Sequence, residues 1–299
     1  MRVFVTGATG WIGSATVDEL LRAGHEVVGL ARSDAGEKLL ADKGAVALRG
    51  DLDDLDALRR GAEDAEGVVH LANKHDFSDQ AESDRAERAA VQTLLDALAG
   101  SGRPLVLASG VAGLAQGRPA TESDASSWVG PEAPRGGTEN LALDAVDRGV
   151  RAVSARFAPT VHGMGDHGFV ALIAAAARRN GVSAYVGDGD QAWAAVHRSD
   201  AARLVRLGLE QAPAGTRLHV VAEEGVPTRA IAEALGEALG LPVASIDPAD
   251  AVGRFGGFIG SAFGMDLRAS SEQTRARFGW APTGPTLLED IAAGAYPGL

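Results

Sequence analysis

Met1-Arg2-Val3-Phe4-Val5-Thr6-Gly7-Ala8-Thr9-Gly10-Trp11-Ile12-Gly13 opens the chain, and this stretch decides the fold. Arg2 to Val5 is a short apolar run suited to a strand, and Leu20, Leu21 and Ala23 carry a helical pattern after the turn. A strand that ends in a glycine-rich turn and opens a helix binds phosphate for physical reasons. Gly7 and Gly10 permit the tight turn and let a pyrophosphate approach backbone N–H groups. Gly13 lets the helix pack closely on the strand, and the helix N-terminus presents unpaired donors and a positive dipole end. The spacing is G-x-x-G-x-x-G rather than G-x-G-x-x-G. In a chain with 39 glycines such a triplet alone says little. The strand before it and the helix after it make it an expectation of dinucleotide binding through Gly7, Ala8, Thr9, Gly10, Trp11, Ile12 and Gly13. The plain alternative is a turn that closes a sheet corner.

Outward from this turn, Glu26 to Ala31 reads as a second strand that ends at Arg32-Ser33. A carboxylate at this point accepts from a ribose 2′-OH, whereas an arginine accommodates a 2′-phosphate. Arg32 and Ser33 offer a cation and a hydroxyl, so NADP(H) is expected, with NAD(H) as the second possibility and a solvated arginine as the bland reading. Further strands are predicted at 45–50, 67–72, 104–108, 152–157 and 217–222, with helices at 53–61, 79–100, 138–148 and 227–239. Asp51 and Leu52 follow the third strand, Ala72 and Asn73 end the fourth, and Ser109 ends the fifth. Residues 111–137, rich in Gly, Pro, Ser and acids, form a long loop. The predicted fold is α/β, a Rossmann-type doubly wound parallel sheet of about seven strands with a small C-terminal substrate lobe. One domain spans 1–299, with the lobe interleaved from about 163–200 and 225–299.

Bulk properties agree with a globular α/β chain. The 299 residues are 45% hydrophobic and 23% charged, enough for a sizeable core. A net charge of −12 argues against a nucleic-acid or anionic-membrane partner, so an anionic cofactor must be held by local donors. There are no cysteines, which excludes disulfides, thiolate nucleophiles and sulfur-bound metals. No apolar run reaches the roughly 18 residues of a membrane span, and the N-terminus lacks a signal-peptide pattern. A cytoplasmic location is expected, with a small-molecule substrate as partner.

Thr6-Gly7-Ala8-Thr9-Gly10-Trp11-Ile12-Gly13 resembles the extended and atypical short-chain dehydrogenase/reductases, the NAD(P)-dependent epimerase/dehydratase-like superfamily. Later segments continue the likeness along nearly the whole chain. Gly50-Asp51-Leu52 matches a Gly-Asp-hydrophobic step whose Asp contacts the adenine edge, although Asp51 also suits an N-cap. Arg156 to Gly163 resembles a segment that passes the nicotinamide, which implies cofactor contact by Pro159 and Val161; His162 takes a place usually held by Tyr. Residues 195–204 and 274–282 resemble two further family segments. Dimers of the family often use the helices around Ala90 and Leu141, so a monomer or a homodimer is expected.

The resemblance also defines what this chain lacks. The superfamily's catalytic set is a Ser or Thr, a Tyr that serves as general acid or base, and a Lys four residues later. Ser109 matches the first member. The only tyrosines are Tyr185 and Tyr296, and the only lysines are Lys38, Lys43 and Lys74. Counting back from Glu139 places Arg135 at the Lys and Pro131 at the Tyr. Arg135 can bond a ribose hydroxyl but is a poor proton donor. Three functions stay open. The leading one is an NADP(H)-dependent oxidoreductase acting on a small carbonyl or alcohol, with Ser109 polarising the oxygen and His75, His162, His167 or Tyr185 as substitute proton donor; His162 is the one carried forward. The others are a non-catalytic NADP(H) sensor and an epimerase- or dehydratase-like enzyme. No metal is expected, since the spacing of His162, Asp166 and His167 fits neither a tetrahedral site nor a facial triad.

Overall fold

The computed structural model describes residues 1–74 and 79–296. The chain runs β1 (Arg2–Thr6), α1 (Trp11–Arg22), β2 (Glu26–Ala31), α2 (Asp34–Lys43), β3 (Val46–Arg49), α3 (Leu55–Glu63), β4 (Gly67–His70), α4 (Gln80–Leu98) and β5 (Pro104–Gly110). After a long loop come α5 (Thr138–Asp144), β6 (Arg151–Phe157), β7 (Thr160–His162), α6 (Phe169–Asn180), β8 (Ser183–Val186) and β9 (Ala192–His197). Then follow α7 (Arg198–Gln211), β10 (Thr216–Val220), β11 (Glu223–Pro227), α8 (Thr228–Leu239) and β12 (Val243–Ile246). Short helices α9 (Ala251–Phe255), α10 (Gly257–Ala262), α11 (Glu272–Phe278) and α12 (Leu287–Ala292) complete it.

Seven strands form one sheet in the order β10-β6-β5-β4-β1-β2-β3. β1 pairs in parallel with both β2 and β4, so the order reverses beside β1. In open α/β sheets that switch point opens the crevice in which ligands bind, at the carboxyl ends of the strands. The reason for a parallel sheet is visible in the burial. Val3, Phe4, Val5, Val68, Val69, Leu105, Val106 and Leu107 are all fully buried, the mark of strands covered on both faces. The expected doubly wound sheet of about seven strands is what the chain forms.

Two compact units partition the residues. The first comprises Met1–Ser109, Ala125–Arg156 and Ala201–Leu218. Its core includes Phe4, Leu58, Val91, Leu94, Leu95, Leu105 and Leu107. The second comprises Gly110–Asp124, Phe157–Asp200 and His219–Leu299. Within it β7, β9 and β11 make a three-stranded sheet, and β8 pairs with β12. Trp193 is its central side chain, packed edge-on to Phe263 at 5.4 Å and to Phe169 at 6.2 Å.

Several local expectations are corrected. α2 was not expected at all. β4 stops at His70, so Ala72 and Asn73 lie in the loop beyond it. The helix expected at 138–148 is α-helical only to Asp144 and continues as a 3₁₀ turn over Ala145–Arg148. His75 lies outside the described residues.

Candidate functional site

The glycine turn has the geometry its spacing implies. Gly7 sits at φ +67°, and a Cβ there would meet Ala72 N at 2.7 Å and Leu71 O at 2.9 Å. Only glycine passes this close to the end of β4 in that conformation. A Cβ at Gly13 would lie 1.9 Å from Gly7 O, so the first turn of α1 packs directly on the loop backbone. Gly10 N donates to Gly7 O at 2.9 Å, which closes the turn. Gly10 is also the N-cap of α1, and no side chain caps that helix. A twelve-residue helix thus starts without a side-chain cap on its first backbone N–H groups. These residues fit the pyrophosphate of a dinucleotide.

The other predicted residues near the turn belong to the same unit. The hydroxyl of Thr6 bonds His70 Nδ1 at 2.8 Å and accepts from Ala72 N at 3.3 Å, which ties β1 to the end of β4. His70 is fully buried, and burial holds its pKa down at about 4, so the ring is neutral. Gly36 of α2 faces Thr9: a Cβ there would meet Thr9 Cγ2 at 3.3 Å. Arg32 and Ser33 are exposed between β2 and α2. Ser33 caps α2, its Oγ accepting from Gly36 N at 3.2 Å. Asp51 Oδ1 accepts from Asp53 N and Asp54 N at 3.0 and 3.1 Å; Asp54, not Asp51, caps α3. Leu52 is buried in the core.

The segment reached by counting back from Glu139 forms an unusual turn. Arg135, Gly136 and Gly137 are all left-handed, with φ of 55°, 60° and 62°. α4 grips this turn. Asp84 Oδ1 accepts from Arg135 N at 2.7 Å, and Arg88 Nη1 donates to Gly136 O at 2.6 Å. Glu87, fully buried on α4, accepts from Arg135 Nη2 at 2.5 Å and from the Asn73 side-chain amide. Asn73 and Arg135 are therefore brought together, through a carboxylate that the sequence reading overlooked. One signal for it exists. Glu87 stands four residues before Val91 and seven before Leu94, on the apolar face of α4, where an acid needs a partner.

Ser109 is nearly buried at the end of β5, and its Oγ donates to Glu139 Oε2 at 3.2 Å. Glu139 also accepts from Ser154 Oγ at 2.9 Å and from Arg156 Nε at 2.6 Å. Ser109, Trp128, Arg135, Gly137, Thr138 and Glu139 border a small recess of about 10 Å³, room for roughly one water. Ser109 spends its own proton on Glu139 there, and the Arg135 guanidinium is paired with Glu87.

The second unit holds the remaining predicted residues. Pro159 and Val161 are half-buried. His162 is fully enclosed; its Nδ1 is 2.6 Å from Asp290 Oδ2, and burial lowers its pKa despite that carboxylate. It has no exposed surface from which to hand a proton to a ligand. The His197 ring stands edge-on to it at 5.7 Å. Asp166 accepts from the buried Tyr296 hydroxyl at 2.9 Å, and burial raises the pKa of both groups. His167 is exposed, and Tyr185 lies under the Arg229 guanidinium at 4.9 Å. Among the described residues no group of three His, Cys, Asp or Glu is placed to hold a metal.

With sheet order, glycine turn and uncapped helix established, the class is a Rossmann-type dinucleotide-binding protein. The profile of the NAD dependent epimerase/dehydratase family matches residues 3–221, and the chain belongs to that family. An uncharacterized protein of Schizosaccharomyces pombe is 44% identical over 99% of this chain and all of its own length. A second, from Saccharomyces cerevisiae, is 44% identical over 98% of both chains. Among solved structures, MoeE5 in complex with UDP-glucose and NAD is 26% identical, with a TM-score of 0.74 and 99% and 97% of the two chains covered.

Proposed function

We propose that this protein is an NADP(H)-dependent oxidoreductase acting on a small carbonyl or alcohol, built on the epimerase/dehydratase frame without the Tyr-x-x-x-Lys pair. The observation that carries the reading is the glycine turn, where a Cβ at Gly7 or Gly13 would strike backbone, running into a helix start with no side-chain cap. NAD in the MoeE5 complex supports a nicotinamide dinucleotide as the class of cofactor. The preference for NADP(H) rests on Arg32 and Ser33 at the end of β2. When bound, the nicotinamide supplies or accepts the hydride. Gly7 to Gly13 would hold the pyrophosphate, Ala72 and Asn73 would line the cofactor beyond β4, and Arg135 would reach a ribose hydroxyl. Ser109 would orient the substrate oxygen, accepting or redirecting a hydrogen bond it now shares with Glu139. The full burial of His162 in the second unit weighs against it as the acid or base.

A specific arrangement favours a second reading, a dinucleotide binder that does not turn its cofactor over. Ser109 donates to Glu139, and Arg135 is paired with Glu87, so two of the three catalytic positions are occupied by internal bonds. One experiment separates the two. Calorimetric titration with NADPH and NADH is expected to show tighter NADPH binding, and NADPH absorbance is expected to fall with a panel of aldehydes and ketones. Tight binding without consumption would select the binder; absence of binding by either nucleotide would remove both readings.

A further inference from the structure

The ends of β2 and β3 place two arginines side by side. Ala31 is the register partner of Arg49, and Arg32 follows Ala31 directly. The two guanidinium groups are engaged differently. Arg32 is exposed, and its side chain pairs with no carboxylate among the described residues. Arg49 Nη1 lies 2.7 Å from Asp34 Oδ1 and 2.9 Å from Glu37 Oε1. Both acids belong to the first turn of α2, the turn that Ser33 caps and whose Gly36 faces Thr9 of the glycine loop.

Both acids follow the end of β2 directly in the chain, and what they do bears on which dinucleotide fits. A free carboxylate at this corner accepts hydrogen bonds from ribose hydroxyls and repels a 2′-phosphate. Here both are drawn toward β3. The side chains of Arg49 and Asp34 are 54% and 96% exposed, so the bridge adds little to stability. Its consequence is positional. We propose that Arg49 is a specificity-determining positioning residue: by holding Asp34 and Glu37 against β3, it keeps both carboxylates off the cofactor ribose and leaves the 2′ position to Arg32 and Ser33. Arg49 does so without touching the cofactor. The inference rests on the NADP(H) reading and extends it to a residue outside the glycine turn and the Arg32-Ser33 pair.

The test is a set of calorimetric titrations of the intact chain with NADPH and NADH. It compares wild type, Arg49→Ala, Arg32→Ala and the triple variant R49A/D34N/E37Q. Arg49→Ala is expected to lower the NADPH-to-NADH affinity ratio by about tenfold, with NADH binding tighter than in wild type. A residue that merely braces the fold would weaken both nucleotides together. The triple variant is expected to regain most of the wild-type ratio, because no released carboxylate remains. A wild-type ratio in Arg49→Ala overturns the proposal. A triple variant with a ratio as low as that of Arg49→Ala also overturns it, since Arg49 then contacts the phosphate itself. Arg32→Ala tells this failure from a deeper one. If it lowers the ratio while Arg49→Ala does not, only the role of Arg49 falls; if it leaves the ratio unchanged, the NADP(H) assignment falls and this inference with it.

Discussion

His70 shows how much a single side chain at the end of a strand constrains this protein. The unfolded ring has an ordinary pKa of 6.5, and burial in the folded chain lowers it to about 4. Between those values the unfolded state binds the extra proton, so stability is intact above pH 6.5 and falls as the pH drops toward 4. A gap of that size corresponds to about 3 kcal/mol. The urea midpoint is accordingly expected to decline between pH 7 and pH 4.5, and His70→Asn, which can still bond Thr6, is expected to flatten the decline. An equal slope in the variant would assign the acid sensitivity to other groups. Ser109 was visible as the last residue of an apolar run, but its donation to Glu139 depends on a residue 30 positions away. His162 looked available because a segment likeness says which residue stands at a position and not how deeply it is enclosed.

At the scale of elements, α1 and its loop were the most legible part of the chain, because three glycines at fixed spacing have few structural uses. Gly13→Ala tests that reading. The added Cβ would overlap Gly7 O, which is backbone and cannot rotate away. The variant is expected to lose dinucleotide binding in calorimetry and to be destabilised by about 1–3 kcal/mol as the loop shifts. Wild-type affinity in a folded Gly13→Ala protein would remove the turn from the site. α2 escaped notice for a physical reason. Of its ten residues only Leu40 is buried, and Gly36 interrupts the pattern, so no apolar stripe betrays it. Its signal was local: Ser33 as a cap and Asp34 and Glu37 in the first turn. The turn before α5 was illegible in another way. A non-glycine residue in left-handed conformation costs about 1–2 kcal/mol, and Arg135 tolerates it because α4 supplies partners for its backbone and side chain. Those partners lie some fifty residues earlier, beyond any local pattern.

For the molecule as a whole, chain order is a poor guide to which residues pack together. The second unit collects three separated segments, and its core closes only with α12. Leu287 is fully buried there, and Leu287→Ala is expected to cost about 2–5 kcal/mol, read from urea midpoints. A loss below 1 kcal/mol would mean that α12 only caps the unit. The class of the fold was legible from alternating strands and helices. The expected lobe at about 163–200 and 225–299 overlaps two segments of the second unit, Phe157–Asp200 and His219–Leu299; its third segment, Gly110–Asp124, was not legible, because the bridge from Ala120 to Ala269 joins positions with no shared local pattern.

The left-handed run at Arg135, Gly136 and Gly137 also limits how this protein can be re-engineered. At the positions reached by counting back from Glu139, a Tyr and a Lys four residues apart would take two exchanges, Pro131→Tyr and Arg135→Lys. A Tyr and a Lys four residues apart cooperate because one helical turn stacks them on the same face. Here α5 begins only at Thr138, and the backbone before it coils the opposite way. Two new side chains on that scaffold would diverge. A graft would have to rebuild the whole turn as helix, replace both glycines, and give up the bonds by which α4 holds it. The obstacle to placing such a pair here is therefore the path of the main chain, and residue identity is the smaller part of it.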